Sequence, residues 1–195
     1  MKKSFKVKKI RFIDIGKKKS KFIYNYLIKN IKNTTFEAFG YNFFLESLKI
    51  NYKDSFYIEY KNKIVSYISY INIENEKKLQ NILIKELIKN PLRSFFRVLF
   101  NFKFFFKIHK KPKRYIQLLH LIIKFDFKKN QNEKIKLNKE IDKLHKKITK
   151  SKYKGIYASF ENKNLCATKY YKKNNYKIFY KNYFYSFVKK EIKNT

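Results

Sequence analysis

Apolar residues alternate with basic ones through Phe5, Val7, Ile10 and Phe12, which predicts a first strand over 5–15, broken by Gly16. Phe22, Ile23, Tyr26, Leu27 and Ile31 then recur at helical spacing and predict a helix over 19–31 that Thr34 and Thr35 end. Gly40 opens a second, shorter helix through Phe43, Phe44, Leu45 and Leu48. After a turn at Asp54 and Ser55, two runs rich in β-branched and aromatic residues, 55–60 and 64–73, flank the turn 61–63 as a hairpin. Leu79, Ile82, Leu83 and Leu87, edged by Glu86, put an apolar stripe on a helix over 77–89.

The second half is patterned more sharply. YIQLLHLIIKF, 115–125, is the most hydrophobic strand and the expected centre of the sheet. A polar connection over 126–133 leads to a helix over 133–150, where Leu137, Ile141, Leu144 and Ile148 are spaced four, three and four apart. Gly155 opens a unit of a buried strand (156–160), an Asn-rich turn and a helix over 165–173. Asn162 and Asn164 suit the helix N-cap. Leu165, Ala167, Thr168 and Tyr171 share one face, with Lys169, Lys172 and Lys173 outward. Asn174 and Asn175 stop the helix, because Asn tolerates the left-handed conformation. A strand starts at Tyr176, a strand or hairpin fills 177–188, and the tail after Lys189 is expected in solvent.

One segment stands apart. In 91–114 a helix would carry Arg93, Arg97, Asn101, Lys103 and Lys107 along one side. Phe95, Val98, Leu99, Phe102, Phe105 and Phe106 would lie on the other. It is too short and too charged to span a bilayer. Three readings remain: a helix packed over the sheet, an interfacial helix on anionic membrane through 91–109, or the wall of an apolar acceptor site.

Composition changes this picture little. The 195 residues suffice for one domain over 1–195, with 44% hydrophobic and 19% aromatic residues and no repeat or linker. A formal net charge of +35 would point to nucleic acid, but only four of the 49 basic residues are arginine. Lys, Asn, Ile, Phe and Tyr share AT-rich codons, and base or phosphate recognition favours Arg, so codon bias is the simpler origin of the charge. The surface should still attract anions, phosphates included. Cys166 is single, which excludes an internal disulfide, and its place in the 165–173 helix reads as structural. His109, His120 and His145 have no metal spacing. The first residues hold no apolar run of signal or membrane length, so a cytoplasmic protein is expected, with peripheral membrane contact if 91–109 is interfacial.

Asn164, Ala167, Tyr171, Asn175 and Tyr176 reproduce the spacing N-x-x-A-x-x-x-Y-x-x-x-G-F, with Asn175 in the Gly place and Tyr176 in the Phe place. In this the chain resembles the GNAT superfamily of N-acetyltransferases, whose fold that pattern closes. The resemblance implies a single α/β domain with a mixed, mostly antiparallel sheet of six or seven strands flanked by helices. The strands 115–125 and 156–160 should lie side by side and parallel. It also implies acetyl-CoA as co-substrate, an amine acceptor as partner, and transfer of an acetyl or other acyl group between them.

Residue roles follow from the same resemblance. In the family the pyrophosphate of acetyl-CoA lies on V-x-P-x-x-[RQ]-G-x-G-x-[GA]. Here Ile123 takes the Val place, Phe125 the Pro place and Lys128 the [RQ] place, while Lys129, Gln131 and Glu133 stand where the pattern has small residues. No glycine of that loop survives, and glycine is what lets backbone approach a phosphate closely. Lys128, Lys129, Lys134 and Lys136 offer charge instead, against Glu133. Tyr171 would be the acid that protonates the leaving thiolate, and Asn164 and Ala167 would line the CoA arm. A Glu that serves some relatives as base corresponds to Gln117, which cannot; His120 and Glu59 are the alternatives. Two other functions stay open: a GNAT-shaped binding protein without catalysis, and a basic nucleic-acid binder whose aromatic strands stack bases.

Overall fold

The computed structural model describes residues 4–11, 13, 15–30, 35–89, 111–123, 131–150 and 152–192. Its elements, in chain order, are β1 (Lys6–Lys9), α1 (Lys18–Asn30), α2 (Thr35–Asn51), β2 (Ser55–Tyr60), β3 (Lys63–Ile71), α3 (Ile73–Lys89) and β4 (Tyr115–Ile123). They continue with α4 (Gln131–Thr149), β5 (Gly155–Glu161), α5 (Leu165–Lys173), β6 (Lys177–Lys181) and β7 (Tyr185–Glu191). One mixed sheet of seven strands runs in the order β1-β2-β3-β4-β5-β7-β6, so β4 is its centre as its hydrophobicity predicts. All neighbours are antiparallel except β4 and β5, which are parallel. This is the single α/β domain with a seven-stranded, mostly antiparallel sheet that the resemblance implies.

Each face of the sheet carries its own core. On one face Leu137, Ile141 and Leu144 of α4 and Tyr171 of α5 pack on Ile58, Ile68, Ile116, Ile156 and Val188. On the other, Ile23 and Leu27 of α1 and Phe44 and Leu48 of α2 pack on Tyr57, Tyr67 and Ile122. Leu79, Ile82 and Leu83 of α3 lean on this second core, half-buried. The hairpin turn at Lys61 and Asn62 has φ of 51° and 60°, the mirror-image turn that matches strand twist.

The structure departs from the sequence reading at several ends. The first strand keeps only Lys6–Lys9 of 5–15, and its exposed lysines form one edge of the sheet. Thr35 begins α2 rather than ending α1, and Gly40, at φ 83°, breaks α2 into two helical pieces, the second being the one expected. α3 starts at Ile73, four residues early, because the Asn72 side chain caps it by accepting the Asn75 N–H at 2.7 Å. β7 extends to Glu191, and Ile192 is buried with its N–H on Lys154 O at 3.0 Å, so the tail is not solvated there. Leu165 and Cys166 are exposed on α5, and the helix buries Tyr171 with the help of Ala167 and Tyr170 instead. The basic-aromatic segment 91–110 and the connection 124–130 lie outside the described residues. Among the described residues no helix is long and apolar enough to cross a membrane.

Candidate active site

Parallel strands β4 and β5 form a fork. They pair only at Tyr115–Gly155, Ile116–Ile156 and Gln117–Tyr157. Beyond that vertex β4 runs on to Ile123 and β5 to Glu161 with no ladder pair between them. A register shift in the pairing of β4 with β3 falls at the same level: Ser69 faces His120 and Tyr70 faces Leu118, leaving Leu119 as the extra residue of a bulge. Backbone groups along the inner edges of a fork need other partners, from water or a ligand. Past the vertex the two inner edges carry no ladder pair with each other among the described residues.

Of the candidate residues, Ile123 of β4 and Ala167 and Tyr171 of α5 share the core on the α4–α5 face, while Asn164 is exposed at the start of α5. Ile123 closes β4 and is buried in the core on that face. Asn164 is the N-cap of α5, with Oδ1 accepting the Ala167 N–H at 3.0 Å. Asn175 has φ 60°, the left-handed geometry that favours glycine, and turns the chain so that Tyr176 N–H reaches Tyr171 O at 3.0 Å. Gln131 and Glu133 lie in the first turn of α4, where free N–H groups favour an anion. Glu133 takes a hydrogen bond from Tyr60, which pushes that phenol up. Phe125, Lys128 and Lys129 lie outside the described residues. Glu59 is remote from the fork, paired with Lys8 across β1 and β2.

Tyr171 is held by rings. It stacks on Phe160 of β5 at 5.1 Å and meets Tyr176 and Tyr170 edge-on at 4.9 and 5.3 Å. Burial pushes its phenol well above the ordinary tyrosine value, which makes it a weaker acid than a free tyrosine. Its hydroxyl forms no hydrogen bond with another described residue, whereas most phenols buried nearby do. A tyrosine is protonated at neutral pH with or without burial, and the ring contacts fix where this one stands.

Sequence reasoning missed the group beneath it. His145 of α4 is buried, with Nδ1 2.6 Å from the Tyr70 hydroxyl and Nε2 3.2 Å from the Tyr176 hydroxyl. Its place one residue after Leu144, within the apolar stripe, was the available signal. Burial, with the charge of Lys190, lowers its pKa from 6.5 to about 3. The folded chain therefore keeps this imidazole neutral while the unfolded chain protonates it below 6.5. Stability from this group is fully present above pH 6.5 and is lost as the pH falls towards about 3, by up to about 1.4 kcal/mol per unit. Urea midpoints measured across that window should fall with acid for the native chain and less steeply for His145→Gln. Equal slopes would show that the histidine does not titrate differently on unfolding.

No family model matches the chain, and no curated protein matches it either. Solved structures do. An N-acetyltransferase from Staphylococcus aureus Mu50 superposes with a TM-score of 0.57 at 14% identity, covering 95% of this chain and 100% of its own. Campylobacter jejuni N-acetyltransferase PseH, in complex with acetyl coenzyme A, matches with a TM-score of 0.52 at 17% identity over 96% of this chain and 98% of its own. The ribosomal-protein-S18-alanine N-acetyltransferase of Escherichia coli matches with a TM-score of 0.52 at 9% identity over 98% and 96%. The fold of this chain is that of GNAT-type N-acetyltransferases.

Proposed function

We propose that the chain is an N-acyltransferase, taking an acetyl or similar group from acetyl-CoA to an amine acceptor. The observation that carries this reading is the fork: two parallel strands that pair at three positions and part, with protonated Tyr171 on the face beside it. Acetyl-CoA bound in the fork supplies a thioester carbonyl open to attack. Backbone groups of β4 and β5 past Gln117 and Tyr157 pair with the amides of the pantetheine arm. Asn164 and Ala167 at the start of α5 line it, together with Ile123. Phe125, Lys128, Lys129, Gln131 and Glu133, between the end of β4 and the first turn of α4, take the pyrophosphate by charge and by helix N–H groups in place of glycines.

In the transfer itself the amine nitrogen attacks the thioester carbon. The C–S bond breaks as the new C–N bond remains, and the thiolate takes the Tyr171 phenolic proton. The phenolate recovers a proton from the nitrogen through water. Titration calorimetry of the full chain with acetyl-CoA tests the reading. The expected result is one site whose binding persists at about 0.5 M salt, where generic attraction of an anion to this surface is screened. Binding that salt abolishes, or that ATP displaces with equal affinity, would leave only the polyanion attraction of a lysine-rich surface.

A further inference from the structure

We propose that Glu76 receives the acceptor's amine at the vertex of the β4–β5 fork, binding its ammonium and acting as the base that takes its proton. This role rests on acyl transfer at the fork, and it supplies the base that Gln117 cannot be.

The vertex pair, Gln117 and Tyr157, points away from α4 and α5. Their neighbours Ile116, Leu118, Ile156 and Ala158 all belong to the core on the α4–α5 face, so alternation sends Gln117 and Tyr157 to the face of α1, α2 and α3. There the Tyr157 hydroxyl donates to Gln117 Oε1 at 3.0 Å. The first turn of α3 brings Glu76 into an ion pair with Lys111, just upstream of β4. Their side chains are 19% and 31% exposed, sheltered but open to solvent. β3 ends at Ile71, opposite Gln117 at the vertex, and α3 begins two residues on, which carries Glu76 to this corner. Burial, with the charge of Glu76, raises the Tyr157 phenol. A carboxylate, an amide and a phenol thus gather at the closed end of the fork, on the face opposite Tyr171.

That arrangement divides the work between two faces. A thioester lying in the fork is met by Tyr171 from the α4–α5 face and by an amine from the other. A carboxylate accepts about four hydrogen bonds, so Lys111 leaves room for an ammonium on Glu76. On a chain of formal net charge +35 an ammonium is repelled over most of the surface, and a half-sheltered carboxylate is where one can be held. Glu76 takes one proton from the ammonium and releases it to water. The neutral amine's lone pair then forms the C–N bond, and no covalent bond forms to Glu76.

The test uses the full chain with acetyl-CoA and four amines: tyramine, glucosamine, lysine and a short peptide with a free N-terminus. Thiol release reports transfer. Glu76→Gln is expected to lower transfer about 100-fold at neutral pH. Its acetyl-CoA affinity should stay within about twofold of the native value, and its deficit should shrink as the pH passes the amine's own pKa, where no base is needed. Lys111→Met breaks the same ion pair but keeps the carboxylate, and should retain most of the activity. Glu76→Asp, which keeps both the charge and the pair, should fall between and guards against a folding defect in Glu76→Gln. Transfer by Glu76→Gln at the native rate overturns the role of Glu76 alone. So does a Lys111→Met chain as impaired as Glu76→Gln with the same pH profile, since that is the mark of a structural staple. Acetyl-CoA that binds yet is transferred to none of the amines overturns acyl transfer and this role with it.

Discussion

Replacing Tyr171 by Phe is expected to cut turnover about 100-fold while leaving acetyl-CoA affinity within about twofold. The split follows from how the residue is held. Its ring is fixed by Phe160, Tyr170 and Tyr176, and Phe would keep those ring contacts. The hydroxyl forms no hydrogen bond with another described residue, so removing it leaves no protein partner orphaned and the fold should be unaffected. What disappears is the phenolic proton, the one this side chain can give to a thiolate. Steady-state rates and calorimetry on the same preparation decide the matter. Equal loss of rate and affinity, or loss of neither, would make Tyr171 a packing residue.

Gly155→Ala should be the most damaging single change to the fold, costing about 3 kcal/mol. Gly155 sits between β4 and β7, opposite Tyr115 on one side and Glu191 on the other. A methyl group there would stand 2.1 Å from the carbonyl oxygen of Lys190, 2.8 Å from a Tyr115 ring carbon and 3.0 Å from the Glu191 Cα. A ring can turn aside, but two of these three neighbours are backbone in a central strand pairing. Relief requires β5 to move off β7, and that pushes it against Tyr115 of β4, so the strain reaches the three pairs that make the fork's vertex. Urea unfolding measures the loss, and a midpoint unchanged from the native chain would mean that the sheet opens there at little cost. Because the damage starts at the vertex, acetyl-CoA binding should weaken in whatever fraction still folds.

The part of the fold around the fork was legible because each of its elements carries an independent local signal. α5 has the bounds expected from its Asn caps and apolar spacing, and α4 starts two residues early because its stripe fixes the helix better than its ends. β4 and β5 are marked by apolar runs between polar turns. Such signals name elements and say nothing of partners 40 residues away. The Tyr157–Gln117 bond, the Glu76–Lys111 pair and the Tyr70–His145–Tyr176 chain each join residues at least 31 apart, and no local pattern encodes them. The bulge at Leu119 is equally silent, since YIQLLHLII reads as an unbroken strand. What the spacing around Tyr171 offered was chemistry on one face of the fork. The Gln117–Tyr157 and Glu76–Lys111 contacts on the opposite face came into view only with the sheet.

The two outer strands have a consequence for how copies of this chain behave together. β1 exposes Lys6, Lys8 and Lys9, and β6 exposes Lys177 and Lys181. Among the described residues neither has a strand on its outer side, and each lines that side with lysines. A second copy approaching either margin meets the same cations on its own strand before a single hydrogen bond can form, so the sheet is guarded against end-to-end growth into fibres. The abundance of lysine, whatever its origin, has here the effect of an anti-aggregation device.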